Sequence, residues 1–104
     1  MQNDMPTMED MLQQSSQAAS FLKALSNESR LLILCYLLDG ELSVSALNDK
    51  VPLSQSALSQ HLAVLRKDKL VETRRESQTI YYRIEDERVR TLIATLHTLF
   101  CPQL

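Results

Sequence analysis

Apolar residues fall at Met8, Met11, Leu12, Ala18, Phe21, Leu22 and Leu25, mostly three or four apart, and this spacing predicts an amphipathic helix over residues 8–25. Ser26 and Asn27 supply capping oxygens for a second helix over 28–38, closed by Asp39-Gly40. That helix is apolar nearly all round and is expected at the buried centre. Ser43 can cap a short third helix to about residue 50. Val51-Pro52-Leu53 reads as a tight turn, because proline disfavours helical backbone in the residue before it. Ser54 caps a fourth helix to residue 67, with Ala57, Leu58, His61, Leu62 and Leu65 tracing one face. The period then changes. Residues 70–74 and 79–84 are rich in β-branched residues and tyrosine, which predicts a two-stranded ribbon with the polar tip Arg75-Glu76-Ser77-Gln78. A last helix over 86–100 carries Val89, Leu92, Ile93, Leu96, Leu99 and Phe100 at three- and four-residue steps, an apolar seam.

Two short helices joined by a turn and followed by a β-ribbon have the order of a winged helix-turn-helix. The expected fold is therefore mainly α with a small two-stranded β wing, a single domain over 1–104. Residues 1–7 form a disordered tail in this reading, 43–67 the helix-turn-helix and 70–84 the wing. The seam at the C-terminal end is too apolar for a solvent-exposed terminal helix, so 8–25 and 86–100 are expected to pair two copies into a homodimer.

Composition narrows the class. At 104 residues, 44% hydrophobic and 23% charged, the chain is of ordinary globular make-up. Its longest apolar run, residues 31–38, is far short of the roughly 20 residues that span a bilayer. Residues 1–10 hold Asp4, Glu9 and Asp10 but no basic start and no apolar stretch of a secretory signal, so a cytoplasmic protein with no membrane partner is expected. Two cysteines 66 residues apart do not make a disulfide framework and begin as thiols in a reducing compartment. No cofactor motif is present, and no nucleophile with a base and an orienting third group points to an enzyme.

Charge is unevenly placed. The net charge is −2, yet residues 54–83 hold six basic side chains (Arg66, Lys67, Lys69, Arg74, Arg75, Arg83) against three acidic ones (Asp68, Glu72, Glu76). That local +3, set against −2 overall, leaves −5 on the rest. Because attraction to phosphate is screened within about 8–10 Å at cellular salt, a local block counts for more than the average. The block frames a helix whose start is rich in short polar residues. Gln55, Ser56, Ser59 and Gln60 are suited to base edges in a major groove, glutamine being able to pair with adenine through two hydrogen bonds. Ser54 and the helix N-terminus suit a phosphate, as do Lys67, Arg74 and Arg75. His61 is open to three readings: a base or phosphate contact, a core residue, or a metal ligand. Double-stranded operator DNA, an imperfect inverted repeat read by two helices across a two-fold axis, is the expected partner.

The segments Glu41-Leu-Ser-Val-Ser-Ala-Leu, Leu53-Ser-Gln-Ser-Ala-Leu-Ser-Gln-His-Leu-Ala-Val-Leu-Arg-Lys-Asp-Lys-Leu-Val and Arg75-Glu-Ser-Gln-Thr-Ile-Tyr-Tyr resemble the ArsR/SmtB family of dimeric winged-helix repressors. With Ala24-Leu-Ser-Asn-Glu-Ser-Arg-Leu-Leu-Ile-Leu the likeness covers nearly the whole chain. It implies dimers paired through the outer helices and operator affinity weakened by an effector. Several positions depart from the family. Ser43 and Ser45 stand where its founding metal sensors have cysteines, and hydroxyls are poor ligands for soft ions. Of its second metal set, Asp86 and His97 remain, but Arg88 stands at the place of a histidine, so no metal site is expected. Lys69 sits where relatives usually have glycine, which makes a left-handed exit costly by about 1 kcal/mol and a different exit the expectation.

Cys35, inside the apolar second helix, and Cys101, at the end of the last helix beside Pro102, remain to be explained. A cysteine in an apolar helix usually acts as a small hydrophobe. The pair, however, resembles the thiol-based, persulfide- and redox-responsive branch of the family. That likeness implies that the two cysteines of one subunit become joined by a disulfide or polysulfide bridge, with sulfur oxidants as effectors. The alternative is a regulator with inert thiols that binds DNA constitutively or competes with a silencing protein.

Overall fold

In the computed structural model, residues 7–101 are described; residues 102–104, Pro102 among them, and all of the expected 1–7 tail except Thr7, which caps the first helix, lie outside them. Helix α1 (Met8–Leu25) opens on Thr7, whose hydroxyl accepts the Asp10 N–H at 3.1 Å while the Asp10 carboxylate accepts the Thr7 N–H at 3.2 Å. This reciprocal cap satisfies two otherwise orphaned donors. Asn27 caps α2 (Glu28–Leu37), accepting the Arg30 N–H at 3.0 Å, and the Arg30 Nε donates to the Ala24 carbonyl at 2.8 Å, tying the two helices at their corner. Gly40 turns the chain out of α2 at φ +142°, a conformation that side chains resist. Strand β1 (Leu42–Ser43) follows, and Ser43 caps α3 (Val44–Lys50). Ser54 caps α4 (Gln55–Lys67) by accepting the Ala57 N–H at 3.1 Å. Strands β2 (Val71–Glu76) and β3 (Thr79–Ile84) make the wing, and Asp86 caps α5 (Glu87–Phe100).

The expected two-stranded ribbon is in fact the larger part of a three-stranded antiparallel sheet in the order β1-β3-β2. Leu42 and Ser43 pair with Tyr82 and Tyr81, and two residues are too few to leave a periodic trace in the sequence. The wing tip is also shorter than expected. Arg75 and Glu76 pair with Ile80 and Thr79, leaving Ser77 and Gln78 as the turn, with Ser77 at φ 58°.

One core joins the elements: Ile33, Leu34 and Leu37 of α2, Leu47 of α3, Leu58, Leu62 and Leu65 of α4, Val71 of β2, and Val89 and Ile93 of α5 are all essentially inaccessible to solvent. Helix α2 is central but not enclosed, because Leu31, Leu32 and Cys35 are half-buried and Tyr36 is exposed. The α5 seam likewise divides. Val89 and Ile93 point into the core, Leu92 and Leu96 are half-buried, and Leu99 and Phe100 are exposed.

The exit of α4 corrects the expectation drawn from Lys69. Lys69 does take the left-handed conformation, at φ 60°. Its N–H donates to the Arg66 carbonyl at 3.0 Å and the Leu70 N–H donates to the Leu65 carbonyl at 2.9 Å, while Leu65 and Leu70 are both buried. These are the two bonds and the hydrophobic pair of a Schellman cap, which together offset the cost of a side chain at that backbone angle.

Candidate DNA-binding surface and thiol pair

Helix α4 divides cleanly by period. Leu58, Leu62 and Leu65 face the core; Gln55, Ser56, Ser59 and Gln60, with Ala63, Arg66 and Lys67 further along, are exposed on the outer side. Inward packing of one face thus presents the polar one to solvent. Ser54 is already engaged as the cap, and its hydroxyl lies 3.3 Å from that of Ser56. His61 is half-buried at the border of the two faces.

The pairing of β2 with β3 sends the two wing arginines to opposite faces. Val71, Thr73 and Arg75 lie opposite Ile84, Tyr82 and Ile80 on the face that carries the buried side chains, whereas Glu72, Arg74 and Glu76 share the outer face with Arg83, Tyr81 and Thr79. Arg75, near the tip, is exposed on the helix-ward face. Arg74 was expected to hold a phosphate, but its guanidinium is taken by Glu41 and Glu76 and lies over the Tyr81 ring. Arg83 is paired with Glu72 directly across the strands. Arg66, Lys67, Lys69 and Arg75 are the cations of the 54–83 block without an ion-pair partner among the described residues. Arg66 belongs with this group though its residue type alone did not single it out; its place on the α4 face, one turn beyond Ala63, is the signal. Glu41 lies 33 residues from Arg74 and no sequence spacing points to it.

Of the two cysteines, one lies in α2 and the other at the C-cap of α5. Cys35 is half-buried against the core, and Cys101 is exposed at the α5 C-cap, its N–H donating to the His97 carbonyl at 2.7 Å. Burial pushes the Cys35 thiol above its usual titration range, and the nearby Cys101 sulfur, whose negative form would repel a second thiolate, pushes it further the same way.

Residues 27–73, which hold α2, α3, α4 and the start of β2, match the signature of bacterial regulatory proteins of the arsR family. The chain is 52% identical over 94 residues to the transcriptional activator HlyU of Vibrio cholerae, covering 90% of this chain and 87% of that one. The chain belongs to the arsR family. Another relative, the biofilm growth-associated repressor of Xylella fastidiosa, is 41% identical over 97 residues, which cover 93% of this chain and 85% of that one. The structure of reduced HlyU from Vibrio cholerae N16961 superposes with a TM-score of 0.86 at 52% identity, covering 90% of this chain and 99% of that one.

As an arsR-family protein the chain is a transcriptional regulator with a winged helix-turn-helix, and none of its described helices is long and apolar enough to cross a membrane. At the start of α5, Arg88 does more than fill a place. Its guanidinium donates from Nη2 at 2.7 Å and from Nε at 3.1 and 3.2 Å to the Asp86 carboxylate, and lies 4.9 Å from the Phe21 ring centre. The Asp86 carboxyl is held below its usual range chiefly by that hydrogen bond. A cation is thus already seated on this carboxylate, and Arg88 also bridges α5 to α1.

Proposed function

We propose that the protein is a homodimeric, sequence-specific DNA-binding regulator in which α4 enters the major groove of an imperfect inverted repeat. Supporting this most directly is the outer face of α4, where Gln55, Ser56, Ser59 and Gln60 are exposed together, Ser56 in contact only with the capping Ser54 hydroxyl, and Arg66 and Lys67 follow on the same side. In this reading those four side chains read bases, Ser54 and the α4 N-terminus meet a phosphate, His61 reaches the backbone at the groove edge, and Lys67 and Arg75 hold phosphates. A second copy covers the apolar surface left on the outer helices, Leu22, Met11 and Leu12 of α1 and Leu99 and Phe100 of α5. The decisive experiment is binding to a randomised duplex pool, followed by titration of the selected site across salt. Gln60→Ala should relax the sequence preference, while Arg75→Ala should weaken all sequences alike and lower the salt slope by about one phosphate's share. Wild-type affinity and preference in both variants would defeat the assignment.

The same proposal extends to regulation: a sulfur oxidant, persulfide or peroxide, links Cys35 to Cys101 within one subunit and weakens operator binding. The bridge would join α2, which underlies the helix-turn-helix, to the C-terminus of α5, which belongs to the dimer surface. A similar structure at 52% identity is that of a reduced form of HlyU. A disulfide needs Cα atoms within about 7 Å, and a polysulfide tolerates more. A second reading, inert thiols and constitutive binding, draws support from the half-buried Cys35 with its raised titration. Operator affinity and intact mass before and after a persulfide donor separate the two. Cys35→Ser and Cys101→Ser should each bind as the reduced protein does and ignore the donor, whereas equal loss in both variants and wild type would make the thiols bystanders.

A further inference from the structure

We propose that Arg74 is a positioning residue: through Glu41 it straps the wing to the leading edge of the helix-turn-helix, and so sets where Arg75 stands relative to α4. The inference rests on the DNA-binding reading above and concerns how that surface is held in shape.

The geometry is that of a brace across the whole sheet. Arg74 sits in β2, one edge strand, opposite Tyr81 of the central strand β3. Its guanidinium carbon lies 4.5 Å from the centre of the Tyr81 ring, and beyond that ring it reaches Glu41, which immediately precedes β1 on the other edge. There Nε donates to one carboxylate oxygen at 3.2 Å and Nη2 to the other at 2.6 Å, while Nη1 donates to Glu76 at 2.9 Å. Every guanidinium nitrogen is engaged and one face of the group is stacked. This combination of a forked hydrogen-bond pair and an aromatic bed is specific to arginine.

Both ends of the brace lead to the candidate DNA surface. At one end, Glu41 runs into β1, where Ser43 pairs with Tyr81 and caps α3 by accepting the Ala46 N–H at 3.0 Å. At the other end, Arg74 is followed directly by Arg75, which the strand period turns to the opposite, helix-ward face. The sheet is held on one side only at both of its edges: β1 is two residues long, and β2, though paired with β3 throughout, has no strand beyond it. A wing free to rock about its base would spread Arg75 over many positions and lose the benefit of a pre-placed cation. Strand pairing puts Arg74 on the outer face, in a charge ladder with Glu72, Glu76 and Arg83, where Glu41 is within its reach.

The test uses the full-length protein and the duplex selected by it, with affinity measured at several salt concentrations and urea unfolding as a control. Glu41→Gln and Arg74→Gln should weaken binding by a similar factor, several-fold, with the salt slope kept, because neither residue neutralises a phosphate. The double variant should be no worse than the weaker single. Arg74→Lys should fail like Arg74→Gln, for want of the fork and the stacked plane. The exchanged pair, Glu41→Arg with Arg74→Glu, should recover part of the loss. Arg75→Ala should cost less in the Glu41→Gln background than in wild type, which a merely stabilising ion pair would not produce. A salt slope lowered by about one for Arg74→Gln would identify a phosphate contact instead and overturn the strap. So would unchanged or tighter binding by Glu41→Gln, the latter meaning that the carboxylate shields the arginine from DNA. If wild type itself shows no sequence-preferring, salt-dependent binding, it is the DNA-binding reading that fails.

Discussion

At the residue scale the two thiols differ by environment. Cys35 lies half-buried in α2 and Cys101 lies exposed at the end of α5. Since the reactive form is the thiolate and burial raises the Cys35 titration, less of it is ionised at neutral pH than of an ordinary thiol. Alkylation followed by mass spectrometry should therefore find Cys101 modified first near pH 7, with the Cys35 rate still climbing above the usual thiol range. Replacing Cys101 by Ser removes the smaller of the two causes and should shift the Cys35 rate profile to lower pH without restoring an ordinary one. Faster modification of Cys35 at neutral pH would contradict this account. Residue identity pointed to both cysteines from the sequence, but their unequal exposure depends on what packs beside them. The same is true of Arg74 and Arg75. They are adjacent and alike in sequence, and strand pairing alone puts one under carboxylates and leaves the other free.

At the scale of elements, helices and caps were legible because their signals are local. Ser43 and Ser54 cap where their hydroxyls precede an apolar period, and α4 keeps its apolar stripe over its full length. What escaped was β1, too short to carry a period, and the exit of α4, decided by the burial of Leu65 against the core together with Leu70. Lys69 stays strained there, at φ 60° with an exposed side chain. Lys69→Gly should accordingly raise unfolding free energy by about 0.5–1 kcal/mol, and Lys69→Val, whose branched side chain resists that angle, should lower it. Urea denaturation at fixed protein concentration measures both. If glycine destabilises the protein, the left-handed exit is not where the strain resides.

For the whole molecule, the apolar side chains that one chain cannot cover set the expected assembly. Leu99 and Phe100 are 65% and 77% exposed, and Met8, Met11, Leu12 and Leu22 of α1 are exposed as well. Leu92 and Leu96 are half-buried against the core, so changing them would confuse unfolding with dissociation. Leu99→Glu with Phe100→Glu should instead give a folded monomer by sedimentation and reduce operator affinity sharply, because two α4 helices no longer act together. A wild type already monomeric at micromolar concentration would remove the basis for a two-fold operator. The sequence by itself determined the order of the five helices and the two wing strands, the polar outer face of α4 and the inward leucines behind it, since each follows from periods and caps acting over a few residues. Only the tertiary structure decided which charges are spoken for, which apolar positions are left uncovered and that Cys35 is half-buried while Cys101 is exposed. Those outcomes depend on contacts between residues as far apart as Glu41 and Arg74, for which the chain carries no local period and only packing supplies the distance.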